Sequence, residues 1–378
     1  MELREAMNIP VFAIPRVYFG DTAMEALRAY NHKTVAIVTD DFMAKSGKTD
    51  YLAGFMPQAR ISIFSGVKPD PDVNVLHAGA AAFKMLQPDV IIALGGGSSL
   101  DAAKGIKVTL DTLHPDHPMV LVAIPTTSGS GSEVTTYAVI SDPEHGQKYP
   151  LVSDQLQPDI AILDPQLVVS VPRGVAVDTG MDVLTHAIEA YVSAQANDFS
   201  DALAEKAILL VWNYLPQVFE QPQAITPRAK MHNASCMAGM AFSTAGLGLV
   251  HGLAHSLGGV FHIPHGKINA MLLPLVIDYN ATTGSEATRE RYARCAALAG
   301  IKQGDQQTRI QQLSQQIRAL NQRFGIPATL NELNISAHDV EQQRTRLIDA
   351  ALADGCTASN PHMPTRDAVS QLISRIAG

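Results

Sequence analysis

Four histidines, His251, His255, His262 and His265, fall within the run 246–266, GLGLVHGLAHSLGGVFHIPHG, which is otherwise built largely of Gly, Leu and other apolar residues. Imidazole is the commonest metal-ligating side chain. Residues four apart on a helix share a face, so His251 and His255 can turn toward one ion. His265 follows the Ile263-Pro264 step and is predicted to leave the helix and return from a loop. One histidine in so apolar a run is more often a hydrogen-bonded core residue; four together favour metal binding. Upstream, Asp182 and His186 are also four apart, in GMDVLTHAIEAY at 180–191. Such a pair alone is more often an ordinary helix contact. With the later histidines it completes a set of one carboxylate and three imidazoles, and helical spacing leaves open which three.

A second chemistry sits in two loops. Gly95, Gly96, Gly97, Ser98 and Ser99 follow an apolar run and precede a helix near residue 100. Glycines let backbone approach a phosphate, and a helix N-terminus offers free N–H groups with partial positive charge. The second loop, 125–133, is PTTSGSGSE and follows another apolar run. Either loop alone reads equally well as a plain turn; two at neighbouring strand ends point to a dinucleotide. Asp40 ends an earlier run, where a free Asp is a helix cap or a ribose-binding acid. Lys148, taken alone, is a surface charge.

The elements that must carry these groups alternate. Residues 35–39, 60–64, 89–94, 120–124 and 159–163 read as buried strands, with alanine-rich helical stretches such as 76–86 between them. That alternation predicts a parallel sheet covered by helices, with ligands beyond the carboxyl ends of its strands. The acid precedes the glycine loop, which is not the usual Rossmann order. Near Val171-Pro172-Arg173-Gly174 the pattern turns mainly helical, giving an α/β domain over 1–174 and an all-α domain over 175–378. Ile310, Leu313, Ile317, Leu320 and Phe324 form a packing stripe there.

With 378 residues, 46% of them hydrophobic, the chain is a globular protein of two-domain size. A net charge of −8 argues against a nucleic-acid or anionic-membrane partner. No apolar run is long enough to span a bilayer, and the N-terminus lacks the apolar core of a signal peptide. Cys236, Cys295 and Cys356 are odd in number and far apart, which fits a reducing cytoplasm.

Taken together, the chain resembles the iron-dependent (group III) alcohol dehydrogenases over nearly its whole length. The resemblance rests on GGGSSLDAAK at 95–104, IPTTSGSGSEVT at 124–135, DIAILDP at 159–165, GMDVLTHAIEAYVS at 180–193, GLGLVHGLAHSLGG at 246–259 and IPHG at 263–266. Within the family, SDALAEKAILLVWNYLP and KMHNASCMAGMAF look most like the 1-propanol dehydrogenases of propanediol-degrading bacterial microcompartments. The ethanolamine-utilisation alcohol dehydrogenases are close behind. Asp70 departs from the pattern, standing where many members carry Asn.

The resemblance implies a dehydroquinate synthase-like fold, a Rossmann-like dinucleotide-binding domain followed by a helical metal-binding domain. It implies Asp182, His186, His251 and His265 as metal ligands, and His255 as a substrate-site histidine that moves the proton. His262 falls at a variable position. Asp40 is implied to meet the adenosine ribose and Gly97 and Ser98 the pyrophosphate. Thr126, Thr127, Thr136, Lys148 and Leu167 surround the cofactor. The cofactors implied are NAD(H) and Fe(II), with Zn(II) and Ni(II) compatible with the same donors. The expected activity is reversible oxidation of short, uncharged primary alcohols, centred on 1-propanol and propanal. The expected setting is a cytoplasmic homodimer associated with a microcompartment. A glycerol or diol dehydrogenase is an alternative on the same scaffold, as is a dehydroquinate-synthase-like lyase. The lyase would want several Lys and Arg near the metal, and the stretches around Asp182 and His251 contain none.

Overall fold

The structure is a computed structural model describing residues 11–142 and 147–378, without the side chains at 142 and 147–149. Six strands form one sheet: β1 (Arg16–Phe19), β2 (Thr34–Asp40), β3 (Arg60–Val67), β4 (Val90–Gly95), β5 (Val120–Pro125) and β8 (Ile160–Leu163). Their order is β1-β8-β5-β4-β2-β3, and every pairing is parallel. A separate antiparallel hairpin joins β6 (Tyr137–Asp142) to β7 (Gln147–Val152).

The apolar runs are continuous because both sheet faces are covered. Ala36 and Val38 of β2, Ile91 and Ala93 of β4, and Leu121 and Ala123 of β5 face one core. Val35, Ile37, Val90, Ile92, Leu94, Val122 and Ile124, the alternate residues, face the other. Helices α1 (Val73–Phe83) and α2 (Gly97–Leu113) pack on the first face through Leu76, Phe83, Ile106 and Leu110.

From β2 the chain steps outward to β3; from β4 it steps the other way to β5. The strand order therefore reverses between β2 and β4, and the carboxyl ends of these two strands, Asp40 and Gly95, flank the switch-point crevice.

The longer helices after the sheet are α3 (Arg173–Val192), α4 (Asp198–Glu220), α5 (Ile225–Ala245), α6 (Leu249–Phe261), α7 (His265–Thr283), α8 (Glu286–Leu298), α9 (Gln306–Phe324), α10 (Ala337–Ala353) and α11 (Arg366–Ala377). The chain divides into two compact units, Met1–Val171 with Gln223–Gly239, and Pro172–Pro222 with Met240–Gly378. The first break falls between Val171 and Pro172. The return of 223–239 to the first unit is an excursion that a single boundary does not contain. Close contact holds it there: a Cβ on Gly131 would lie 2.6 Å from Gly239 Cα, so these backbones meet only because both residues are glycine. Arg228 Nη2 also donates to the Val171 carbonyl at 2.7 Å. Among the described residues no single helix is long and apolar enough to cross a membrane.

Candidate metal centre and cofactor crevice

In the first unit, the two glycine-rich loops touch. Thr126 N–H donates to the Gly95 carbonyl at 2.9 Å. A Cβ on Gly96 would lie 3.4 Å from Thr127 Oγ1, and one on Gly97 would lie 3.1 Å from Ser130 Cβ. Gly95 has φ +150°, and a Cβ there would meet Ser99 Oγ at 2.5 Å, so only glycine fits. Gly96 caps α2 without a side-chain hydrogen bond, leaving its first N–H groups for a ligand. Thr126 Oγ1 is buried with no hydrogen-bond partner at this same edge. An acceptor-rich anion fits that cradle.

Asp40 does what a strand-end Asp ordinarily does, and leaves an oxygen over. Its Oδ1 accepts Met43 N–H at 2.8 Å, capping the short helix Asp41–Lys45. Its Oδ2 lies 3.6 Å from where a Gly95 Cβ would be, at the crevice. Ser98 sits in the first turn of α2, one residue after Gly97. Leu167 is buried in the short helix Pro165–Val168 that follows β8. Thr136 immediately precedes β6, its carbonyl accepting Ser153 N–H at 3.1 Å. Lys148 pairs with Ser141 in the hairpin, and its side chain lies outside the described residues.

Two residues that motif spacing did not single out hold the second loop. Lys104, on α2, is buried and donates from Nζ to the carbonyls of Thr135 at 2.9 Å and Tyr137 at 2.6 Å. Burial pushes its ammonium down to about 8. Asp101 accepts Ser132 Oγ–H at 2.6 Å and Val139 N–H at 3.0 Å.

In the second unit, Asp182, His186, His251 and His265 converge. One potential ligand atom from each lies within 4.8 Å of the others. Asp182 Oδ1 is 3.8 Å from His186 Nε2, 3.8 Å from His251 Nε2 and 3.7 Å from His265 Nε2. Donors about 2.1 Å from a tetrahedral ion lie roughly 3.4 Å apart, so these need only a small contraction. Asp182 and His186 come from α3, His251 from α6 and His265 from α7.

His265 is the first residue of α7, not part of a loop as the Ile-Pro step predicted. Pro264 acts as the N-cap (φ −53°, ψ 131°): a proline stops the helix before it, yet its backbone also suits the entrance of the next one. His262 is the C-cap of α6, exposed, with left-handed φ 55°, and stands outside the cluster.

The centre of the cluster asks for a cation. Asn269, one turn after His265, places Nδ2 2.6 Å from Asp182 Oδ1 and 3.1 Å from both His251 Nε2 and His265 Nε2. An amide nitrogen carries two hydrogens and here faces three acceptors. Its own Oδ1 is buried without a partner. A divalent ion would engage all the converging donors, so the residues fit the metal that their types suggest.

The cup is closed on one side and open on the other. Asp182, His186 and His251 are at most 5% exposed, whereas the side chains of His265 and His255 are 45% and 41% exposed. Burial, and then the neighbouring rings of His186, His265 and His255, holds His251 well below the usual imidazole range, in the neutral form a ligand requires.

His255 stacks on His265 with ring centroids 5.4 Å apart, beside the cluster but not in it. Its Nδ1 donates to Asp354 Oδ2 at 2.9 Å. Burial pushes Asp354 up, but the His255 hydrogen bond and charge, with the Cys356 N–H, bring it below the usual value. Glu189 touches His251 from α3, its Oε2 2.6 Å from Nδ1. Burial pushes its carboxyl up, and the backbone N–H groups at the start of α6 pull it back down. Motif spacing passed over Glu189 and Asn269. Helical periodicity nevertheless carried their signal: Glu189 is three residues after His186, and Asn269 four after His265.

The chain matches two family models, iron-containing alcohol dehydrogenase over residues 15–165 and the C-terminal domain of the Fe-containing alcohol dehydrogenase family over 176–377. It is 46% identical over 364 residues to a 1-propanol dehydrogenase of Salmonella typhimurium, covering 96% of this chain and 98% of that one. It is 36% identical over 382 residues to an NADPH-dependent butanol dehydrogenase of Clostridium saccharobutylicum, covering 96% of each. The crystal structure of a sulfoacetaldehyde reductase from Bifidobacterium kashiwanohense in complex with NAD+ superposes with a TM-score of 0.87 at 29% identity, covering 98% of this chain and 99% of that one.

Proposed function

This chain belongs to the iron-containing alcohol dehydrogenase family and is an oxidoreductase, and from that premise we propose that it interconverts short primary alcohols and aldehydes, centred on 1-propanol and propanal, with NAD(H) and Fe(II). The observation that carries this reading is the four-donor cup, three of its donors buried and the fourth, His265, exposed beside His255.

When bound, the divalent ion supplies Lewis acidity toward the substrate oxygen, and the nicotinamide supplies hydride exchange. The chain's own groups do the rest. Asp182, His186, His251 and His265 hold the ion, and the same donors accept Zn(II) or Ni(II). His255, its Nδ1 held by Asp354, presents Nε2 to take or return the hydroxyl proton. Gly97, Ser98 and the bare N-terminus of α2 bind the pyrophosphate, with Thr126 and Thr127 beside them. Asp40 orients the ribose; Thr136, Lys148 and Leu167 complete the cofactor's surroundings by family correspondence.

Small and aliphatic residues flank the histidines on α6: Gly252, Leu253, Ala254 and Leu257, all buried. Lys267, the nearest cation along the chain, faces Asp178 at 3.8 Å. A highly charged substrate of the lyase type would lack a partner there. Steady-state rates over a panel of C2 to C4 aldehydes and alcohols with Fe(II)-loaded protein test the proposal. The expected result is a graded preference peaking at C3, since each methylene changes binding by only about 1–3 kcal/mol. A charged aldehyde turned over as fast as propanal would sink it.

Cofactor choice depends on Asp40. A carboxylate at the ribose accepts its hydroxyls and repels a 2′-phosphate. The unmodified protein is expected to prefer NADH, and Asp40→Gly to narrow or reverse that preference. Equal kcat/KM with NADH and NADPH in the unmodified protein would remove Asp40 from this role. We place the enzyme in the cytoplasm as a homodimer associated with a bacterial microcompartment. The likeness to 1-propanol dehydrogenases supports the microcompartment setting alone.

A further inference from the structure

Asp182, His186 and Glu189 lie along one stretch of α3, at steps of four and three residues, so all three face the same way. Asp182 and His186 belong to the donor cup; Glu189 does not. Its carboxylate reaches the neighbouring helix instead. Oε1 accepts Val250 N–H at 2.7 Å, and Oε2 lies within hydrogen-bond distance of His251 Nδ1, at 2.6 Å. Gly248 is the N-cap of α6 and supplies no side-chain cap; Leu249 N–H donates to Asn360 Oδ1 at 3.2 Å, and Val250 N–H, next in the first turn, is met by Glu189. One buried carboxylate thus caps the helix that carries His251 and grips the ring itself.

We propose that Glu189 is the positioning residue of this centre: by accepting Nδ1–H it fixes the His251 tautomer and rotation, so that the unprotonated Nε2 faces the ion. The inference rests on the metal reading of the four-residue cluster. An imidazole has two nitrogens, and which one ligates is set by the bond the other makes. With Nδ1 committed to Glu189, Nε2 is the nitrogen turned toward Asp182 Oδ1, 3.8 Å away. The position also explains why a buried acid is tolerated: it is met by donors from α6 rather than by a charged side chain.

Glu189→Gln separates the two jobs. The amide oxygen still accepts Val250 N–H, so the cap is kept. The amide NH2 now faces Nδ1 and donates to it, which forces the proton onto Nε2, the ligating nitrogen. Metal affinity is read by competition between apo protein and a chromophoric chelator for Zn(II), with thermal melting of both apo proteins alongside. The unmodified protein is expected to bind one Zn(II) per chain. Glu189→Gln is expected to melt at nearly the same temperature and bind Zn(II) about 10–100-fold more weakly. Unchanged affinity in a folded Glu189→Gln protein overturns the inference and leaves the metal reading standing. No Zn(II) binding by the unmodified protein overturns both.

A measurement on the unmodified chain covers the case in which the variant does not fold. In zinc-loaded protein labelled with 15N-histidine, His251 is expected to carry its proton on Nδ1, coupled to Nε2 bound to zinc. A His251 bare at Nδ1 overturns the inference.

Discussion

His251→Ala is expected to leave a folded protein that holds no metal and no longer oxidises alcohols. His251 is one of the three buried walls of the donor cup, and its Nε2 sits 3.8 Å from Asp182 Oδ1. Its loss leaves three donors, one of them on the exposed His265. The Lewis acidity lost with the ion is worth several kcal/mol of charge stabilisation, on the order of 10³-fold in rate or more. The fold is expected to survive because Glu189 still accepts Val250 N–H and holds the start of α6. Metal analysis, a thermal melt and NADH binding by fluorescence distinguish these effects. Asp182→Ala is expected to behave alike. Full metal content in His251→Ala would take that residue out of the ligand set.

His255→Ala is expected to keep the metal and lower turnover by roughly 10²–10⁴-fold, the usual cost of one general acid–base group. The ring is stacked on His265 and held at Nδ1 by Asp354, which leaves Nε2 as the nitrogen for proton transfer. Its side chain is 41% exposed, which lets a proton exchange with water. Added imidazole is expected to restore part of the turnover in His255→Ala, because the space vacated opens to solvent. Metal content and rate, measured on the same preparation, check the prediction. Undiminished turnover would make His255 a packing residue beside the site.

Asp354, bonded to His255 Nδ1, and Glu189, bonded to His251 Nδ1, are carboxylates that motif spacing did not single out. His255 and Asp354 are 99 residues apart, His251 and Glu189 62, and Asn269 and Asp182 87. Each pair meets only where helices cross. What spacing does report is which groups share a face within one helix. Asp182 with His186 was read that way, and Glu189 continues the same face one turn on. Applied to His251 and His255, the same rule overreached in one respect. The ring of His255 turns to Asp354, while His265 supplies the fourth donor.

The sequence by itself determined the local grammar of this protein. The apolar runs at 35–38, 90–94 and 120–124 read as strands covered on both faces, because a sheet with one wet face would alternate, and the structure buries both sets of residues. Gly95, with φ +150° and Ser99 against it, had to be glycine, and its place after a strand and before a helix was legible from the chain. Only the tertiary structure decided how those pieces are ordered. β1, the first strand, lies at the far edge beside β8, the last of the sheet, and 223–239 returns to the first unit through the Gly131–Gly239 contact. Pro264 starts a helix rather than only ending one, because proline's fixed φ and missing N–H suit a helix entrance as well as a stop. Strand formation, turns and helix faces depend on neighbours a few residues away, so the chain displays them. Sheet order and the partners of Asn269, Glu189 and Asp354 depend on packing between distant segments, where the free energy belongs to the pair and neither segment alone carries its sign.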